Sequence, residues 1–202
     1  MDGDLGYEID AREIPRRWST GYLPLRKSEP FEQPVRSELE GEVYQLNAGL
    51  VDWAFALTRS LKLPDDQTLR AARARYKGFP NARKAPFVAE GDVLSASTFW
   101  HGELLNQWAN QWVKYYTQGK GNYMIAAMED SGTLQALTFL KAAGRVDLNR
   151  VLVLRAASNY DRPPPGVSPA GNLKTMNAGG YSAFRQSLES AERVGDAWSA
   201  TS

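Results

Sequence analysis

The chain has 202 residues, 43% of them hydrophobic and 23% charged, which suits about one ordinary globular domain with a substantial core. A net charge of +1 gives no overall attraction to nucleic acid or to a membrane surface, and no apolar run approaches the ~20 residues of a membrane span. Zero cysteines exclude disulfide and thiol chemistry, and a single histidine, His101, excludes a multi-histidine zinc site.

In chain order, the acidic N-terminus has no apolar h-region and does not read as a secretory signal. Residues 1–27 read as extended or loop, and 28–34 as a proline-punctuated surface loop. Residues 42–46 suit a short strand or the lead-in to a helix. Asn47 is the expected N-cap of a helix over 48–61, with Leu50, Val51, Ala54 and Leu57 on one stripe. Asp65 is expected to cap a second helix over 68–76, with Asp66 in its first turn. Arg70, Arg73 and Arg75 make a basic face that reads as solvated surface, with phosphate binding as the rival reading.

Residues 86–89 and 91–95 look like strand, ending on polar Ser95–Thr98. The spacing predicts a helix over 103–116 that buries Leu104, Leu105, Trp108, Trp112 and Val113. The stretch 122–161 then reads strand (123–127), helix (131–143), strand (150–154). Parallel strands there would bring both polar ends to one sheet edge, the edge where α/β proteins place ligands. Residues 163–165 are three prolines, stiff and extended, suited to walling a cavity. Residues 167–179 read as loop, 182–194 as a last helix, and 196–202 as a frayed tail. The expected architecture is a single α/β domain over 1–202, with a mixed central sheet flanked by helices.

Three strand ends then carry the chemistry. They supply an aromatic ring (Phe99 or Trp100), a carboxylate (Glu129) and an amide (Asn159). A carboxylate accepts from two vicinal hydroxyls, and an amide sets a donor beside an acceptor, which matches a purine edge. Each residue also has an ordinary structural reading. Glu129 suits a helix start, Asn159 and Asp161 suit turns, His101 suits a satisfied structural histidine, and Arg155 suits an ion pair with Glu129 or Asp161.

The motifs Tyr7-Glu8-Ile9-Asp10-Ala11-Arg12-Glu13-Ile14-Pro15, Thr98-Phe99-Trp100-His101-Gly102, Met128-Glu129-Asp130, Gly179-Gly180-Tyr181 and, most specifically, 153–161 with Pro163-Pro164-Pro165-Gly166 resemble the purine nucleoside permease family. That family is similar to the nucleoside phosphorylase and nucleosidase superfamily. The resemblance implies that Phe99 stacks on a base, and that Met128 and Glu129 bind a ribose, Glu129 at its 2′- and 3′-hydroxyls. It implies that Asn159 contacts the purine, with Ser158 beside it. Arg155, Asp161 and His101 complete the implied substrate-binding set. Nucleosidases carry an acid at the position of Asn159; an amide can hydrogen-bond the departing purine but cannot protonate it.

The resemblance also implies a phosphorylase-like fold lacking the family's N-terminal portion, hence an N-terminally truncated chain. The family pattern implies a periplasmic or cell-envelope location, which the chain itself does not specify. The expected function is purine nucleoside binding in uptake. The alternatives are phosphorolysis or hydrolysis of the N-glycosidic bond, with phosphate as the only implied co-substrate and no cofactor or metal, or an inactive remnant. The expected partner is a purine nucleoside, with no nucleic acid, no direct membrane span and room for a homo-oligomer.

Overall fold

The computed structural model describes residues 7–8, 12, 14, 16, 22–23, 32, 41–179 and 181–200. The elements run β1 (Tyr7–Glu8), β2 (Tyr22–Leu23), α1 (Ala48–Thr58), α2 (Gln67–Ala74), β3 (Asp92–Ser95), α3 (Glu103–Tyr116), β4 (Tyr123–Ala127), α4 (Asp130–Ala142), α5 (Pro169–Gly179) and α6 (Tyr181–Ser199). Short 3-10 turns occupy Asn81–Arg83 and Leu148–Arg150. The mixture of helix and strand is the α/β class expected. Among the described residues the expected mixed central sheet is not seen. Among the described residues there are two two-stranded sheets, antiparallel β1–β2 and parallel β3–β4. The chain forms two compact units, Met1–Leu46 with Gly91–Val151 and Asn47–Glu90 with Leu152–Ser202.

The first unit is built on β3 and β4. Register pairs Val93 with Ile125, Leu94 with Ala126 and Ser95 with Ala127, with an irregularity just after Asp92. Gly91 admits this close approach, because a Cβ there would lie 2.1 Å from Met124 Cγ. Parallel strands need a crossover, and α3 supplies it. Gly102, at φ +126°, makes the turn into α3 in a conformation that favours glycine.

Trp108, Trp112 and Tyr116 recur every four residues along α3 and meet ring to ring. Trp108 lies 5.6 Å from Trp112, and Trp112 lies 5.9 Å from Tyr116, both edge to face. Trp100 joins the row 4.9 Å from Trp108. With Leu94, Ala96, Ala109, Val113 and Tyr115 these rings form the core, and Trp112 is 1% exposed. Leu104, expected on the buried side, is 74% exposed. It sits in the first turn, off the 105–108–112 stripe.

The second expected strand of the 122–161 stretch does not form. Asp147 caps the turn Leu148–Arg150 by accepting from Asn149 N at 2.9 Å, and the chain beyond Val151 pairs with no strand among the described residues. A run of β-branched and aliphatic residues reports a half-buried surface rather than a ladder partner. Val151 to Val153 are half-buried, while Leu154 and Arg155 are exposed.

In the second unit, Asn47 caps α1 as expected, accepting from Leu50 N. The cap of α2 is Asp66, one residue later than expected, accepting from Leu69 N at 2.8 Å. Asp65 is engaged elsewhere, by Arg73 through both guanidinium arms and by Arg70. The hydrogen bond from Arg73 holds the Asp65 carboxyl below its ordinary range. α5 occupies a segment expected to be loop. Ser168 accepts from Gly171 N at 3.1 Å, and Pro169 takes the first helical position, where its missing N–H costs nothing. α6 continues to Ser199, through most of the expected frayed tail. There the Trp198 indole donates to the Ala54 carbonyl of α1 at 3.2 Å.

Trp112→Ala should lower the unfolding free energy by about 3–5 kcal/mol, whereas Leu104→Ala should change it by less than about 0.5 kcal/mol. Denaturant titration of both variants measures the contrast; equal losses would mean that α3 buries a different face.

Candidate functional site

Parallel pairing sends the carboxyl ends of β3 and β4 to the same edge of the first unit. The loop after β3 carries Phe99, Trp100 and His101; the turn after β4 carries Met128 and Glu129. Ser95 ties the two ends together. Its hydroxyl donates to the Met128 carbonyl at 3.1 Å and accepts from the Ser131 amide at 3.0 Å. With that proton committed, the Ser131 hydroxyl is the donor in the third contact, at 3.1 Å. Ala96 N also donates to the Ala127 carbonyl at 3.0 Å, extending the ladder one step.

The two candidate aromatics differ in burial. Trp100 is buried in the tryptophan row, and Phe99 is 59% exposed. His101 is 7% exposed, its ring 6.1 Å from that of Phe99, so it supports the loop from beneath. Met128 is 61% exposed, held by its backbone while its thioether stands clear. Glu129 is exposed at the N-cap position of α4. Its carbonyl accepts from Thr133 N, but its carboxylate does not cap the helix. The dipole of α4 favours a negative charge at that position.

The remaining predicted residues belong to the second unit. Arg155 is exposed on the extended segment, and Asp161 is half-buried. Ser158 Oγ donates to Asn159 Oδ1 at 3.0 Å, and Asn159 Nδ2 donates to the Tyr160 carbonyl at 3.2 Å. These bonds use one N–H and one lone pair of an amide that has two of each.

Two tyrosines hold this motif, and sequence reasoning assigned neither a role. Tyr76, just past α2, donates to the Arg162 carbonyl at 2.8 Å. The Tyr160 ring lies 4.2 Å from that of Tyr76, and its hydroxyl donates to the Ala82 carbonyl at 2.6 Å. Burial, then the neighbouring Tyr160, pushes the Tyr76 hydroxyl up to about 12. Burial also raises Tyr160, against the opposing effect of Arg73. The only signal for Tyr76 was a lone aromatic at the end of the expected helix 68–76, among arginines and alanines. Ser95 and Ser131 were visible only as polar residues at a strand end and a helix start.

Among the described residues, no group of His, Asp and Glu is placed to hold a metal ion, and no helix is long and apolar enough to cross a membrane. The profile of the purine nucleoside permease family matches residues 1–198. A Schizosaccharomyces pombe protein named "Probable purine nucleoside permease" is 25% identical over 189 residues, covering 90% of this chain and 53% of that protein. A Candida albicans protein named "Purine nucleoside permease" is 28% identical over 189 residues, covering 93% of this chain and 46% of that protein. The chain therefore spans about half the length of the curated relatives it matches. No solved structure matches.

Ser95→Ala leaves the Met128 carbonyl and the Ser131 amide without this partner and should cost about 1–3 kcal/mol. Hydrogen exchange should localise the loss to the start of α4; a uniform change across the unit would contradict the tie. For Tyr76 the folded hydroxyl titrates higher than an unfolded tyrosine, near 10. Its stabilising effect is complete below pH 10 and is lost as pH rises from 10 toward about 12, because only the unfolded chain releases the proton in that window. Tyr76→Phe should flatten that part of the stability profile, measured by denaturation at stepped alkaline pH.

Proposed function

Given that the chain belongs to the purine nucleoside permease family, we propose that it binds purine nucleosides as a step in their uptake. One observation carries the assignment to residues. Phe99, Met128 and Glu129 all stand exposed at the carboxyl edge of one parallel strand pair, fixed by Ser95. In this reading the Glu129 carboxylate accepts from the 2′- and 3′-hydroxyls of the ribose, a charge-assisted pair of hydrogen bonds. Met128 packs on the sugar face and Phe99 on the base.

On the family resemblance Asn159 is assigned to the purine edge; its local bonds leave one N–H and one lone pair of its amide over. Ser158 and Tyr160 fix its orientation. Arg155, Asp161 and His101 remain assigned to the binding set on the family resemblance. The phosphorylase-like fold belongs to the same proposal.

Titration calorimetry with inosine and adenosine tests the reading, with chromatography of the same mixtures for free base. Saturable binding without base release is the expected result. Base release dependent on phosphate would replace binding by phosphorolysis, and release without phosphate by hydrolysis. Glu129→Ala should weaken binding at least about tenfold, the worth of hydrogen bonds to a charged group; unchanged affinity sinks the ribose assignment. Asn159→Asp should alter the preference between 6-oxo and 6-amino purines, and an unaltered preference removes Asn159 from the base site.

A further inference from the structure

The net charge of +1 conceals a local imbalance. Between Gln67 and Ala89 stand six cations, Arg70, Arg73, Arg75, Lys77, Arg83 and Lys84, and no acid. Asp65 accounts for Arg70 and Arg73. Arg75, Lys77, Arg83 and Lys84 are exposed within ten residues of chain.

The loop that carries them is anchored rather than loose. Tyr76 is buried and bonded to Arg162, the Ala82 carbonyl receives the Tyr160 hydroxyl, and Asn81–Arg83 forms a 3-10 turn. Its two phenylalanines face outward, Phe79 at 39% and Phe87 at 52% exposure. Each already holds a cation over its ring, Arg162 at 5.2 Å from Phe79 and Lys84 at 5.8 Å from Phe87.

We propose that the loop from Arg75 to Phe87 of the second unit is a docking surface for an anionic lipid bilayer. Cations beside exposed rings match the two layers of such a surface, lipid phosphates and carboxylates outside and the acyl boundary beneath. A nucleic acid fits less well. Between Arg75 and Phe87 the only side-chain amide able to read a base edge is Asn81, and each ring has a face occupied by a cation rather than open to base stacking. The proposal gives the uptake reading a place to operate, but its own test does not depend on nucleoside binding.

Co-sedimentation with vesicles of phosphatidylcholine alone, and of phosphatidylcholine mixed with phosphatidylserine, tests it on the full chain. Binding should require phosphatidylserine and should fall as salt rises. The triple variant Lys77→Gln, Arg83→Gln, Lys84→Gln should bind roughly a hundredfold more weakly, about fivefold for each cation. Phe87→Ser should weaken binding without changing its salt dependence. Lys120→Gln with Lys141→Gln, exposed cations of the first unit, should leave it unchanged. Circular dichroism confirms that each variant is folded.

Absence of binding to the mixed vesicles, equal binding to both vesicle types, or equal loss in the control variant would overturn the proposal. Tighter binding to a single-stranded polynucleotide than to the mixed vesicles would also overturn it. Nucleoside calorimetry on the triple variant keeps the two readings apart, since its nucleoside affinity should match that of the unaltered chain.

Discussion

The organisation of the first unit depends on the parallel pairing of β3 with β4. A parallel pair cannot close with a tight turn, so the chain must cross over between the two strands. The crossover helix α3 is amphipathic through its large aromatics, and these pack as a row against Leu94 and Ala96. The same pairing aligns the carboxyl ends of the two strands. Ser95 then does locally what the sheet does globally, since one hydroxyl holds both the Met128 carbonyl just after β4 and the Ser131 amide in the first turn of α4. The exposed positions of Phe99, Met128 and Glu129 follow from that arrangement.

The second unit uses a different device. The segment from Leu152 to Gly166 has no ladder among the described residues, so it must be held by side chains. Tyr76 and Tyr160 do this, each through a ring contact and a hydrogen bond to a backbone carbonyl. Pro164 is buried in the same segment and lacks an N–H to satisfy. Such a motif is stiff without being regular. The tyrosine pair also pins the Arg75–Phe87 loop from behind, which leaves its cations and phenylalanines outward.

Much of this was legible in the sequence. The bounds of α3 and β4 coincide with expectation because tryptophan spacing and the Gly119–Gly121 punctuation are unambiguous. The misplacements have physical causes. Leu104 fits an apolar list but not the angular stripe. Asp65 and Asp66 are equally good caps on paper, and only the demand of Arg73 for a carboxylate decides between them. Residues 151–154 have strand composition, yet composition cannot supply a neighbouring strand. The Ser168-Pro169 start of α5 was hidden by the Gly, Asn and Ser content of residues 167–179, which set an expectation of loop. At the candidate site, Glu129 was singled out from its place after a strand, the acceptor chemistry of a carboxylate and the family resemblance. The resemblance pointed to Phe99 rather than Trp100, but the burial of Trp100 in the tryptophan row could be seen only from packing.

Family membership and the exposed edge are the two supports for the nucleoside-binding proposal. Its central chemical claim is that a carboxylate at the start of α4 holds a vicinal diol. Comparing inosine with 2′,3′-dideoxyinosine by titration calorimetry isolates that claim, because the base is the same and only the hydroxyls differ. The dideoxy compound should bind at least about tenfold more weakly. Equal affinities would contradict the assignment of Glu129 and, with it, the sugar side of the site.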